Sequence, residues 1–155
     1  MMGPTMPALV TLGRVLFVVL FVFSGASKLF DIASTTQAIA EKVSLPVLVT
    51  PYTGQLEVIT GMPTAQLMAI IAGVVEVACG LFIALNIGTR FFAWVLLLFV
   101  CVATFYFHNF WDMTGADRIN NMIHALKNLS LIGGLLVIAG YPRQVTLEED
   151  RYTGV

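Results

Sequence analysis

The sequence predicts an all-α protein, an integral membrane four-helix bundle with a long loop between spans one and two that caps the outer face. Of its 155 residues, 58% are hydrophobic and 11% are charged, whereas about 25% of residues are charged in soluble domains. Four apolar stretches also reach the ~20 residues that a helix needs to cross a bilayer. They lack the ~10-residue alternation typical of membrane β-strands, which leaves helices as the spanning structure.

The four predicted spans are followed or separated by connections of different lengths. The long loop, residues 30–63, could begin with a short helix lying on the bilayer, and turn residues follow it. We expect this loop to fold over one end of the bundle, and the alternative is a loosely ordered connection. The second connection is a tight hairpin and the third is short and polar. The spans cover residues 8–29, 64–85, 89–108 and 121–140.

We expect a single membrane domain over residues 1–155, with a charged tail at residues 141–155 outside the bilayer. Because four spans return the chain to its starting side, both termini lie on the same face. Lys42 and Arg118 lie on the opposite face, and the arginines on the terminal side favour a cytoplasmic location for both termini. Those arginines are Arg14, Arg90, Arg143 and Arg151.

Charge and cysteine usage exclude several classes of function. The formal net charge is −1 and no dense basic cluster is present, so no nucleic-acid partner is expected. Cys79 and Cys101 fall within different predicted spans, with neither a C-x-x-C spacing nor a metal-binding one. We therefore predict no metal site and no disulfide between them. No residue can be named as catalytic from the sequence.

Glu76 is the most informative charge, because it lies near the middle of the second span. A carboxylate at that depth costs several kcal/mol unless it is paired, protonated or hydrated. Gly73 and Gly80 share its helix face and would let a neighbouring helix approach closely. Counting depth at ~1.5 Å per residue predicts an internal ion pair between Arg14 and Glu76. The alternative to a chemical role is that this pair only holds the first two helices in register.

A second group of polar residues lies near the outer ends of spans one, three and four. The ligand-binding candidates are Lys28, His108, His124, Lys127 and Asn128. Such a cluster could bind an anion, hydrogen-bond a quinone carbonyl or relay protons. Alternatively, the lysines extend to the headgroups and the histidines cap helix ends. The aromatic residues between 105 and 111 are either an interfacial belt or a stacking wall for a flat ring.

Ordered sequence blocks across residues 13–140 resemble the DoxX family. The blocks are Gly13-Arg14, S-G-A-S-K-L at 24–29, A-G-V-V-E-V-A-C-G-L at 72–81, Gly88-Thr89-Arg90, A-T-F-Y-F-H-N-F-W at 103–111 and L-K-N-L-S-L-I-G-G-L-L at 126–136. The resemblance implies a four-helix bacterial inner-membrane protein. Some members of the family are linked to thiosulfate:quinone oxidoreduction or to thiol and oxidative-stress complexes. The positions that match the family pattern are Arg14, Lys28, Glu76, Arg90, His108, Lys127 and Asn128.

The resemblance leads to one leading functional hypothesis and two alternatives. The leading hypothesis is a membrane subunit in quinone-linked redox metabolism of thiols or sulfur, with a quinone as the cofactor and another membrane or redox subunit as partner. Without paired redox cysteines, any redox role depends on the quinone or on that partner. The alternatives are a non-catalytic accessory or assembly subunit and a small-solute or proton carrier that uses Glu76. The lipid bilayer is a partner in each case. Enzymatic activity and assembly with a second copy are left open.

Overall fold

The computed structural model describes residues 6–141, and this part of the chain contains helices but no strands. The helices are α1 (Met6–Phe30), α2 (Ile32–Lys42), α3 (Thr50–Thr60), α4 (Thr64–Ala84), α5 (Thr89–Phe107) and α6 (Gly115–Gly140), with a short 3₁₀ helix at Phe110–Asp112. The predicted tail lies outside the described residues from residue 142 onwards.

Helices α1, α4, α5 and α6 are each long and apolar enough to cross a membrane, which confirms the all-α fold class with four spans. The largest difference in boundaries is at α6, which begins at Gly115 rather than at residue 121. Its first turns contain Asp117, Arg118 and Asn120, which in sequence resembled a polar loop. These residues instead extend the helix beyond its apolar part.

Residues 30–63 do not form one long loop, because this segment contains α2 and α3; α2 is the short helix expected at its start. The side chain of Asp31 caps α2 by accepting a hydrogen bond from the Ser34 amide at 3.1 Å. Helix α3 has Pro51 in its first turn and ends at Gly61, whose φ of 68° is left-handed. Proline at a helix start and a left-handed glycine after its end are common boundaries.

Helix α2 closes one end of the bundle. It packs against α4 and buries Ile39, and the chain just beyond it reaches α5. There the Tyr106 hydroxyl donates to the Ser44 carbonyl at 3.5 Å, and the Lys42 ammonium lies 5.9 Å from the centre of the Phe107 ring. We call this end, with α2 and α3, the capped end; it corresponds to the predicted outer face. The opposite end, with the turn between α4 and α5, is the hairpin end.

Glycines bring α1 and α4 together as an antiparallel pair. A Cβ on Gly25 would lie 2.6 Å from the Gly73 carbonyl oxygen, and one on Gly80 would lie 2.8 Å from Val22 Cγ2. Membrane helices use such small residues to bring their backbones into close contact. These contacts fix the register of the two helices, and in that register Ser24 lies opposite Glu76.

The bundle interior differs along its length. The apolar core extends from the middle of the bundle to the hairpin end and consists of Val18, Phe21, Cys79, Ile83, Ala93, Leu96, Val100, Leu135 and Ala139. Closer to the capped end, the helices place polar side chains between their neighbours, among them Glu76, Thr104 and Asn128. Interior polar groups at membrane depth are expensive and mark functional sites. The capped half of the bundle is therefore the candidate location of a functional site.

Glu57 connects α3 to the start of α4. Its Oε1 accepts hydrogen bonds from the Thr64 amide and hydroxyl, both at 2.6 Å. The side-chain and backbone bonds from Thr64 lower the pKa of Glu57 from its ordinary value. The carboxylate thus caps the N-terminus of α4 from a neighbouring helix.

We expect Glu57→Gln to lower the thermal stability of the detergent-solubilised protein at neutral pH. Because the folded-state pKa of Glu57 is lowered, its contribution is fully present above the ordinary glutamate pKa and is lost as pH falls through the lowered value. The difference in Tm between wild type and variant should therefore shrink on acidification. A difference that stays constant from neutral to acidic pH would contradict this role.

Candidate functional site

Glu76 lies near the middle of α4 and is only 5% exposed. Its Oε2 accepts a hydrogen bond from the Lys28 ammonium at 2.6 Å, and the same contact is a salt bridge. The Ser24 hydroxyl donates to the same carboxylate at 3.2 Å and accepts from Lys28 at 2.6 Å. We call these three residues the Glu76 network. It joins α1 to α4 within the membrane-spanning part of the bundle.

The predicted ion pair between Arg14 and Glu76 is not formed. Arg14 instead donates hydrogen bonds to Asn86 Oδ1 and Thr11 Oγ1 at the hairpin end. Asn86 lies ~15 Å from Glu76 along the chain direction of α4, counted at 1.5 Å per residue. The depth count failed because it started from the ends of the apolar stretches. The actual register is set by the glycine contacts between α1 and α4.

Side-chain direction explains why Lys28 is the partner. Every helical Cα–Cβ bond tilts toward the N-terminus of its helix. Because α1 and α4 are antiparallel, Lys28 leans from the capped end toward the middle of the bundle, and Glu76 leans toward the capped end. The two side chains therefore converge, whereas Arg14 leans away toward the hairpin end.

The two members of the ion pair differ in exposure. The Lys28 side chain is 28% exposed, and that of Glu76 is 6% exposed. Such a pair is costly to desolvate, so its presence is weak evidence of net stabilisation. Its lysine remains accessible in the capped half of the bundle.

Two histidines from α5 and α6 meet at the capped end. The His108 and His124 rings stack with centroids 5.0 Å apart and an interplanar angle of 14°. His108 Nδ1 lies 3.2 Å from Asn121 Oδ1. An amide oxygen only accepts hydrogen bonds, so this contact is a hydrogen bond when His108 Nδ1 carries a proton.

Asn128 contacts α5 through Thr104 rather than through the histidines. Its side-chain amide donates to the Thr104 hydroxyl at 2.9 Å, and that hydroxyl donates to the Val100 carbonyl at 2.6 Å. Lys127 is exposed and makes no side-chain hydrogen bond or salt bridge with the rest of residues 6–141.

The structure therefore divides the predicted ligand cluster. Lys28 pairs with Glu76, His108 stacks on His124, Asn128 bonds Thr104, and Lys127 stands apart. Three polar partners were not among the predicted site residues: Ser24, Thr104 and Asn121. Ser24 and Thr104 each lie one helical turn before a candidate, Lys28 or His108, and helical spacing could have identified them.

A groove of about 280 Å³ opens between α5 and α6 in the capped half. Thr104 provides its only hydroxyl, and Phe110 is the one member of the predicted aromatic wall that lines it. Phe105 and Trp111 instead pack against each other, with ring centroids 5.8 Å apart. The residues lining this α5–α6 groove are Thr104, Phe110, Met122, Ala125, Leu126, Leu129 and Ile132.

In the described part of the chain, a metal ion would be held by histidine, cysteine or acidic side chains, and a disulfide would need two paired cysteines. Residues 6–141 contain no group of three or more histidine, cysteine or acidic side chains placed to hold a metal ion. Cys79 is buried, Cys101 is exposed, and both are free thiols.

Comparisons with known proteins agree with the ordered sequence blocks. The family model described as DoxX matches residues 9–109. Inner membrane protein YphA of Escherichia coli (strain K12) is 33% identical over 138 residues, which cover 88% of this chain and 85% of that protein. No solved structure matches significantly. The family match includes the Glu76 network and Thr104, and it ends before α6 begins.

Proposed function

This chain belongs to the DoxX family and is a multi-pass inner-membrane protein, and from that premise we propose that it serves as a membrane subunit in quinone-linked redox metabolism. In this proposal the α5–α6 groove holds the quinone ring. The observation that carries the proposal is the Thr104 hydroxyl within an otherwise apolar groove in a membrane-spanning helix pair. Small-molecule sites commonly combine apolar walls with a few placed polar groups.

The groove has the chemistry that a quinone requires. Its walls are apolar and include the ring of Phe110. Leu126 and Leu129 are 55% and 61% exposed, so the groove opens sideways toward lipid, from which a hydrophobic molecule can enter. Asn128 holds the Thr104 oxygen in place, and the Thr104 hydroxyl can turn its proton from the Val100 carbonyl to a ligand carbonyl.

The chain would bind and orient the quinone rather than transfer electrons by its own groups. A bound quinone supplies reversible two-electron, two-proton chemistry. Cys79 and Cys101 are the only cysteines; one is buried and the other exposed, and they do not pair. Electrons would therefore pass between the quinone and a partner subunit docked on this chain. We also place the hairpin end, with Arg14 and Arg90, on the cytoplasmic side.

The carrier hypothesis has less support. Lys28 keeps the Glu76 network accessible in the capped half. Toward the hairpin end, however, the apolar core that includes Phe21, Ile83 and Leu96 fills the interior. A carrier would have to open this core to pass a solute or proton across the membrane. The accessory role is the alternative that the quinone measurement below would favour if the purified protein carries a stable partner and no quinone.

The proposal is tested by the quinone content of the purified protein. We expect quinone to co-purify with wild type in mild detergent and to fall about tenfold in Ala125→Phe, because a ring inside the groove would cost at least ~1.4 kcal/mol of binding. Thr104→Val should lose roughly three- to tenfold, the effect of one hydrogen bond. Quinone would be extracted and quantified by mass spectrometry.

Val137→Phe is the matched control, because Val137 also lies on α6 but is 70% exposed outside the groove. Its quinone content should equal that of wild type, and all variants should elute as single species of wild-type size. The proposal would be overturned if wild type contains no quinone, or if Ala125→Phe contains as much quinone as wild type. A stable protein partner without quinone would then favour the accessory role.

A further inference from the structure

Helix α3 has its polar and apolar faces in the reverse of the usual orientation. At 100° per residue, one face carries Thr50, Thr53, Glu57 and Thr60. Glu57, on this face, bonds the start of α4. The opposite face is apolar except for Gln55, no residue of α3 is buried, and the large apolar side chains of that face are exposed. They are Tyr52, Leu56, Val58 and Ile59, with exposures of 68%, 50%, 86% and 79%.

An amphipathic helix on a water-soluble protein turns its apolar face inward. Here the polar face contacts the protein through Glu57 and leaves Thr50 exposed to water, so the apolar face needs another, apolar environment. Two observations identify this apolar environment as the lipid bilayer. Glu57 is held 2.6 Å from the amide of Thr64, the first residue of a membrane span, and only residues 61–63 separate α3 from that span. Helix α3 therefore lies at the level where α4 enters the bilayer.

The outward side of α3 is also left open by the rest of the described chain. A shallow concavity of about 410 Å³ runs along α3, lined by Pro51, Gly54, Gln55, Val58 and Ile59. Gly54 contributes no side chain and so deepens it. Exposed apolar side chains also occur on the adjacent span α4, where Ile71 is 59% exposed.

We propose that α3 binds the lipid surface, lying in the plane of the bilayer at the capped end with its apolar face among the acyl chains. The Glu57 face turns toward α4. Helix α3 contains no lysine or arginine and a single carboxylate, which is already engaged. Its binding is therefore driven by apolar burial and not by attraction to anionic headgroups.

The test uses the full chain in phosphatidylcholine vesicles, with single nitroxide labels at Tyr52→Cys, Leu56→Cys or Thr50→Cys. The background carries Cys79→Ala and Cys101→Ala. Label relaxation by oxygen, which concentrates in lipid, is compared with relaxation by a water-soluble nickel complex. We expect oxygen to dominate at Tyr52 and Leu56 and nickel to dominate at Thr50. Added phosphatidylglycerol should leave the ratios unchanged.

Each other outcome overturns the proposal. Nickel access equal at all three positions would place α3 in water. Protection of Tyr52 and Leu56 from both reagents would show that a protein surface, from a second copy or another chain, covers the helix. Insertion only with phosphatidylglycerol would contradict apolar burial as the cause. If the cysteine-free background is not monodisperse, the labels are placed in protein that keeps Cys79, which is buried.

Discussion

Lys28→Ala should destabilise the protein by about 3–5 kcal/mol, the typical loss when one partner of a buried ion pair is removed. The variant leaves the Glu76 carboxylate, which is 5% exposed, without its cation and largely shielded from solvent. Glu76→Ala should cost less, because the Lys28 side chain is 28% exposed and can reach toward the capped end. Unfolding free energies in mixed detergent micelles measure both.

The double variant Lys28→Ala/Glu76→Ala should lose clearly less than the sum of the two single losses, since the pair acts as a unit. The matched control is Arg14→Ala, whose partners are at the hairpin end. Its effect should add to that of Glu76→Ala, because the two sites share no contact. The opposite result would contradict this account and favour the ion pair that depth counting predicts. In that result the losses for Arg14 and Glu76 would be non-additive, and those for Lys28 and Glu76 would add.

Gly25→Ala should destabilise the protein by about 1–3 kcal/mol through overpacking between α1 and α4. The new Cβ would lie 2.6 Å from the Gly73 carbonyl oxygen and 2.8 Å from Glu76 Cβ. The backbone oxygen cannot move aside as a flexible side chain could, so the helices must separate. That separation would also lengthen the contact between Lys28 and Glu76. Thermal unfolding of the detergent-solubilised protein measures the loss.

Gly133→Ala is the control for this prediction. A Cβ at Gly133 would meet nothing within 4 Å, so the change should be neutral or stabilise α6 by up to about 1 kcal/mol. Equal losses in the two variants would show that helix propensity, and not the contact between α1 and α4, determines the effect.

The four spans could be predicted because their signal is local. Each is an uninterrupted apolar run whose length alone identifies it. Helices α2 and α3 gave no comparable signal, since a short helix at a membrane surface mixes apolar and polar residues over few turns. Their boundaries were nevertheless readable from the Asp31 cap, Pro51 and Gly61.

The side-chain pairings were harder to predict, because they depend on register. An error of a few residues in where α1 starts moves Arg14 by a full turn or more relative to α4. The tilt of side chains toward the helix N-terminus would have favoured Lys28 over Arg14 for Glu76. The separate positions of His124, Lys127 and Asn128 could not be foreseen, since they depend on which neighbours α6 packs against.

Photolabelling tests most directly whether the α5–α6 groove binds a quinone. Membranes with wild-type protein would be irradiated with a photoreactive ubiquinone analogue, and labelled peptides mapped by mass spectrometry. We predict labelling between Thr104 and Ile132 that excess ubiquinone competes away and that Ala125→Phe abolishes. Labelling confined to peptides of α1 or α4, or labelling that ubiquinone does not compete, would contradict the proposed site.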